Sequence, residues 1–383
     1  MKQTLFIFGR TPDLSFLELS SLYPTASLIA PGIASVPDFS DNPADIMQRL
    51  GGTVKIVTAN DEIEEYSEDL IVSVLLEETR DNHITFGISA YGTQVSHGLT
   101  AAVKKRLTER GIIARYVETK HDEALSSVVV AKQQVVELVI IKVGKQNRIG
   151  VTRAVQDFED WNKRDFGRPA VDPKAGMLPP KVARMIVNIA IAAHDSSHTT
   201  MLLDPFCGVG TVLAEALLRG SNVVGCDISE DAVGHTKKNL EWLRKNYPVA
   251  SPLYANVFVG DATHISKHVA PASIDAIVTE PFMGEPVDTK NIAVLTPERV
   301  KNVLKGLEKL YIGALKDWAP VMKKGGRIVM AMPAYATQRA VMRVKNVVDR
   351  CESLGYTLMA GPIEYSRPQA VVKREFYVFQ KSK

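Results

Sequence analysis

Two rhythms of apolar residues divide the chain. From residue 181 onward, short apolar runs alternate with longer stretches of helical period. The runs 200–204, 222–226, 255–259, 274–278 and 327–332 read as strands, because they are brief, β-branched and bounded by turn residues. The stretches 210–219, 230–246, 297–322 and 337–354 read as helices, with 180–194 leading in. Gly220 ends the first of these, Ser229 is placed to cap the second, and Thr296 with Pro297 opens the third. Late strands are expected near 356–360 and 374–380. Strands alternating with helices predict an α/β domain over 181–383, with a mostly parallel, doubly wound, Rossmann-like sheet.

The first 150 residues follow a different pattern. Residues 1–50 hold short apolar stretches broken by Pro12, Pro24, Pro31, Pro37 and Pro43, and read as a small, irregular lead-in. Over 51–150, strands are expected at 52–58, 84–90, 112–117, 126–130 and 136–143, with helices at 66–79 and 97–110. Gly111 stands where a helix would stop. This mixture predicts an α+β module. Residues 151–180 are rich in charge, Pro and Gly but carry Phe158, Trp161 and Phe166. They read as a linker docked on its neighbour, since such rings are poorly left in water.

Composition changes the picture in two places. The net charge of +3 splits unevenly: residues 1–150 carry 15 Lys+Arg against 19 Asp+Glu, and residues 151–383 carry 31 against 24. A basic run holds Lys323, Lys324, Arg327, Arg339, Arg343, Lys345 and Arg350. A polyanion partner needs such an excess, and a solvated helix face explains it equally well. The three cysteines, Cys207, Cys226 and Cys351, show no ligand spacing, so neither a zinc site nor a disulfide framework is expected. With no apolar run of membrane length and no secretion signal, a cytoplasmic protein is expected.

The candidate chemistry lies at strand ends. LLDPFCGVGT (202–211) is a strand, an acid and a Gly-x-Gly turn opening a helix. Gly208 and Gly210 allow a tight turn and a close ligand. Asp227, 19 residues past Gly208, ends the next strand and suits the two hydroxyls of a ribose. A dinucleotide site needs a third glycine, but that position is Leu213, and Asp204 would repel a pyrophosphate. Asp204 suits the α-ammonium of S-adenosylmethionine instead. Asp261, in VGDA (259–262), is placed to accept from the adenine amine. The expected cofactor contacts are Asp204, Phe206, Gly208, Gly210, Thr211, Asp227, Ile228, Asp261 and Ala262. Inert loop caps on an α/β domain are the plainer reading of these acids.

TEPF (279–282) ends the fourth strand, where amino-methyltransferases place Asp, Asn or Ser, then two residues ending in proline, then an aromatic. The lone pair of an exocyclic base nitrogen is delocalised into the ring. Acceptors on its N–H groups, and alignment with the methyl donor, supply the rate. Thr279 accepts only while donating elsewhere; Glu280 is the alternative acceptor or proton sink, or else a salt-bridge partner. Pro281 stiffens the turn. Phe282 either stacks on an extruded base or fills the core.

With DPFCGVGT, GCD, GDA and RPAVDPKAGMLPPKVARMIVNIA (168–190) in hand, the chain resembles the THUMP-containing tRNA guanine-N2 methyltransferases that act at position 10. The front fragments GGTVKI, ITFGISAYG, GIIARYVE and ALSSVVVAKQQ are similar to that family's THUMP-containing region. The resemblance implies that 51–150 binds RNA, that tRNA is the partner, and that Lys174, Gly176, Met177 and Leu178 enclose the methionine end of the cofactor. It also implies phosphate contacts from Arg367 and Arg374, which as plain residues read equally well as edge-strand charges. Eukaryotic relatives use a small zinc-binding activator. The expected state is a monomer or weak dimer. TEPF replaces the family's Asp-Pro-Pro-Tyr, which bears on the target atom. The expected reaction is methylation of guanine N2 in tRNA. Adenine N6 or DNA methylation, and an RNA-binding protein that holds cofactor without turnover, are the alternatives.

Overall fold

The computed structural model describes residues 3–60, 63–96, 98–118, 124–171, 177–194, 198–249, 253–285, 296–337, 340–366 and 370–382. It divides into two compact units, Met1–Asn162 and Lys163–Lys383.

The first unit runs β1 (Gln3–Phe8), α1 (Pro12–Leu22), β2 (Ser27–Ala30), β3 (Ile33–Val36), α2 (Pro43–Arg49), β4 (Thr53–Ala59), α3 (Glu68–Glu77), β5 (His83–Tyr91), α4 (Leu99–Glu109), β6 (Ile113–Tyr116), α5 (Ser127–Lys132), β7 (Val136–Val143) and β8 (Gln146–Val155). Its strands form one mixed sheet in the order β2-β3-β1-β4-β8-β7-β5-β6. Residues 1–50 are therefore more regular than their prolines suggest. Pro12 and Pro43 open α1 and α2, where a missing N–H costs nothing, and β1 pairs with β4 with Leu5 opposite Val57. The strand expected at 126–130 is a helical turn instead. Ser126 caps it by accepting from the Val129 N–H, and Val130 packs on Leu125 and Val135. A capping serine and a buried valine outweigh the β-propensity of three valines.

Inside this sheet lies one polar knot. The Lys55 ammonium donates to Glu137 and, at 2.6 Å, to the Leu125 carbonyl. Ser89 donates to the same carboxylate at 2.5 Å and Thr152 at 2.6 Å, and all but Thr152 are buried. Burial lowers the Lys55 pKa while Glu137 opposes that shift.

Helix α6 (Phe158–Phe166) runs across the division, with Trp161 buried and Phe166 78% exposed. The second unit continues with α7 (Pro180–Ile191), β9 (Met201–Asp204), α8 (Thr211–Leu218), β10 (Asn222–Asp227), α9 (Glu230–Asn246), β11 (Ala255–Val259), β12 (Ile274–Thr279), α10 (Pro297–Trp318), β13 (Met322–Ala336), β14 (Val341–Arg343), α11 (Lys345–Asp349), β15 (Tyr356–Tyr365) and β16 (Val372–Lys381). Ser229 and Thr296 cap α9 and α10 through their hydroxyls, as expected. The sheet order is β11-β10-β9-β12-β13-β16-β15. Strands β9 to β13 pair in parallel, while β16 is antiparallel to both neighbours. This is the doubly wound sheet read from the sequence. Helices α7, α8 and α9 pack against β9–β13, and the core cluster beneath α10 joins Leu307, Tyr311 and Trp318 to Ile277, Ile328 and Met330.

The helix expected over 337–354 does not form. The described part of that segment is the short strand β14, one helical turn α11 and a 3-10 segment, Glu352–Leu354. The cause lies in β13, which runs 15 residues and so offers Ala334–Ala336 as a pairing edge for Val341–Arg343. Among the described residues, no helix is long and apolar enough to cross a membrane.

Candidate cofactor crevice and reacting corner

Chain order turns round at β9: β10 and β11 lie on one side, β12 and β13 on the other. Ligands of open α/β sheets bind in the crevice beyond such a switch point. Asp204 and Thr279 end the two strands that flank it.

The turn after β9 is built on glycine. Gly208 and Gly210 both have positive φ, +52° and +83°. A Cβ on Gly210 would lie 2.8 Å from Thr236 Cγ2, so the site is closed to side chains on two grounds. The Cys207 N–H donates to the Cys226 carbonyl at 2.8 Å, tying the turn to β10. The Asp227 carboxylate accepts from the Gly208 N–H at 2.9 Å and the Ser229 N–H at 3.0 Å, which fixes its orientation. Beside it Ile228 is 78% exposed, an apolar side chain held open at a strand tip. Asp261 accepts from the N–H and hydroxyl of Thr263, each at 2.8 Å, and pairs with His264 at 3.1 Å. Its bond from the Thr263 N–H leads the effects that hold its carboxyl below the usual range. Next to it the Ala262 carbonyl accepts from Trp318 Nε1 at 2.8 Å. The Phe206 ring stands edge-on to Trp318, with centroids 6.4 Å apart.

Asp204 is buried and accepts from the Phe206 N–H at 3.1 Å and the Thr279 hydroxyl at 2.7 Å. Burial pushes its pKa to about 7; those two hydrogen bonds oppose the rise, and the charges of Asp227 and Glu280 add to it. The Phe206 N–H and the Thr279 hydroxyl are both neutral donors. A buried carboxylate so placed favours a cation arriving from outside.

At the reacting corner the structure redistributes the expected roles. Thr279 has no exposed surface, and its hydroxyl is spent on Asp204. Its hydroxyl proton is thus committed to that carboxylate. Glu280 Oε1 accepts from Arg374 Nε at 2.6 Å. Burial raises the Glu280 pKa and Arg374 opposes the rise. Arg374, read as a phosphate contact or a plain edge-strand charge, is thus turned toward Glu280 through its Nε. Pro281 is buried and Phe282 is 55% exposed, so its ring does not fill the core. Two tyrosines hold the backbone beneath it. Tyr311 donates to the Phe282 carbonyl at 2.7 Å and Tyr335 to the Met283 carbonyl at 2.6 Å.

The Thr211 hydroxyl is likewise committed. It accepts from Arg168 Nη1 at 2.6 Å, in a buried cluster where Arg164 and Arg184 both pair with Glu215. Arg168 Nη2 also reaches Met177 Sδ at 3.3 Å, and Leu178 is buried. Lys174, Gly176 and Arg367 lie outside the described residues.

Tyr311, Tyr335 and Arg168 went unread in the sequence. The signal available for the tyrosines was a hydroxyl on an apolar helix face or strand, which requires a buried partner without naming it.

The methyltransferase domain of the UPF0020, RMKL-like family matches residues 168–357. The chain is 31% identical over 225 residues to the tRNA (guanine(10)-N2)-dimethyltransferase of Pyrococcus abyssi, covering 58% of this chain and 54% of that protein. It is 34% identical over 184 residues to the protein of that name from Methanothermobacter thermautotrophicus, covering 48% and 46%. The chain thus spans about half the length of these two relatives. It is 32% identical over 151 residues to a probable tRNA (guanine(10)-N2)-dimethyltransferase of Methanothermococcus thermolithotrophicus, covering 39% of this chain and 78% of that protein. The crystal structure of TrmN from Thermus thermophilus overlays all of both chains with a TM-score of 0.55 at 18% identity, a likeness of fold. At 32% identity to the Methanothermococcus thermolithotrophicus protein over 78% of that protein, the chain belongs to the family of the tRNA (guanine(10)-N2)-dimethyltransferases.

Proposed function

We propose that this protein transfers a methyl group from S-adenosylmethionine to the N2 amine of a guanine in tRNA. The observation that carries the reading is the set of acids at the switch point: Asp204, Asp227 and Asp261 end or follow three neighbouring strands, and an exposed Phe282 follows the fourth. The donor set fits the cofactor. Asp204 faces its α-ammonium, Asp227 its ribose hydroxyls and Asp261 its adenine amine, with Ile228 against the adenine face and Phe206 and Ala262 alongside. Gly208 and Gly210 let the backbone come close. Met177 and Leu178, and by family pattern Lys174 and Gly176, enclose the methionine end. When bound, the cofactor supplies an electrophilic methyl on sulfur.

The chain's own residues do the rest. Phe282 stacks on the extruded base. Glu280, oriented by Arg374, accepts from the amine and takes the proton that the nitrogen loses. Thr279 keeps Asp204 in place. The first unit grips the RNA as a THUMP-like module. Support for a cytoplasmic setting comes from Cys207, Cys226 and Cys351, all buried and unpaired.

Thr279 also feeds a second reading. Its hydroxyl donates to Asp204 and is wholly buried, where relatives carry an acid, which suits a cofactor-binding protein without turnover. One experiment separates the readings. Purified protein is incubated with labelled S-adenosylmethionine and unmodified tRNA, and the digested nucleosides are identified by mass spectrometry. Label in N2-methylguanosine is the expected result. Label in N6-methyladenosine or in DNA would change the target, and calorimetric cofactor binding without transfer would favour the second reading.

A further inference from the structure

Near the reacting corner the second unit carries an open groove of about 910 Å³. It exists because the connection from β13 to β15 lacks a long helix. Sheets of this kind are covered on both faces, yet here the described residues of the crossover supply β14, the five-residue α11 and a 3-10 segment. Leu304, Leu358 and Tyr377 lie in its lining, an apolar floor for the rim. Lys301 and Lys305 of α10 and Lys345 of α11 supply that rim, and none has an ion-pair partner among the described residues. Of the other charges in the lining, Arg343 pairs with Glu375, Glu308 accepts from the Asn346 backbone and amide, and Asp349 of α11 is a second carboxylate.

The groove shares its walls with the reacting corner. Met342, in its lining, sits directly across from Tyr335, whose hydroxyl holds the Met283 carbonyl. The helix that carries Lys301 and Lys305 also carries Tyr311, which holds the Phe282 carbonyl. A base delivered to Phe282 arrives on a chain that must leave the corner again.

The geometry points to this groove as the path of the RNA strand next to the target nucleotide, with phosphates on the three lysines and sugar or base faces on the apolar floor. This rests on the RNA-methyltransferase reading above and adds where the strand runs. A protein ligand has less to recommend it, since the three lysines on the rim lack ion-pair partners among the described residues and suit a polyanion.

The test uses the full chain. In Lys301→Glu/Lys305→Glu/Lys345→Glu, binding of an unmodified tRNA transcript should weaken about tenfold or more, and the slope of log affinity against log salt should fall by about 2. Cofactor affinity by calorimetry and turnover at saturating tRNA should stay near wild type. Should the triple variant not fold, the single Lys→Gln variants carry the same readouts. In the wild-type protein, tRNA should also protect these three lysines from acetylation, measured by mass spectrometry. Unchanged tRNA affinity and slope, with the lysines acetylated as fast as without tRNA, would overturn the path while wild-type methyl transfer leaves the parent reading standing. Loss of wild-type tRNA binding would overturn both. A variant that changes sedimentation but not tRNA binding would make the groove an interface between copies, and overturn the path.

Discussion

At the scale of single residues, Asp204 sets function against stability. Its pKa rises on folding, so its contribution to stability is complete below about pH 3.8 and lost as pH climbs through about 7. The rise corresponds to on the order of 4 kcal/mol against the folded, ligand-free protein above that pH. Asp204→Asn should therefore raise the melting temperature of the ligand-free protein at pH 8 by several degrees, measured calorimetrically, while weakening cofactor binding. In the wild type a bound cation favours the ionised form, so cofactor affinity should grow as pH rises from 6 to 8. A flat profile would remove Asp204 from the ammonium. Arg374 has its own signature. As the positioning partner of Glu280, Arg374→Gln should lower kcat about tenfold or more and leave the KM for tRNA and its salt slope alone. A lost phosphate contact would do the reverse. The sequence showed the acids because strand tips and a Gly-x-Gly turn are local signals. It did not show that Thr279 is sealed onto Asp204, or that Arg374 turns toward Glu280, because those pairs span 75 and 94 residues.

At the scale of elements, helix ends were the most legible, since Ser229 and Thr296 bond their own neighbours. The misreadings at 126–130 and 337–354 share one cause. A short apolar run takes its structure from whichever strand edge or core lies nearby. The polar knot in the first unit was equally hidden, being assembled from β4, β5, β7 and β8. Lys55→Met would leave Glu137 buried with two hydroxyls and no cation. It should cost about 3–5 kcal/mol, read from urea unfolding followed in the first unit. A loss near zero would mean that Ser89 and Thr152 suffice.

At the scale of the whole molecule, the alternation of strands and helices disclosed the sheet of the second unit, and the order of acids disclosed its switch point. The sheet of the first unit was read only in fragments, because its central pairing of β4 with β8 joins strands distant in sequence. The uneven charge carries a prediction here. With the basic excess in residues 151–383, tRNA affinity should fall at least about tenfold between 50 and 200 mM salt. A filter-binding series checks this, and insensitivity to salt would argue that charge plays little part in capture.

Tyr311 and Tyr335 grasp residues 282 and 283 by main-chain oxygens alone. Such a clamp is blind to what is mounted in it. If a base stacks there as proposed, exchanging the ring at 282 for another should leave the jaws in place and shift the preference for one nucleobase over another.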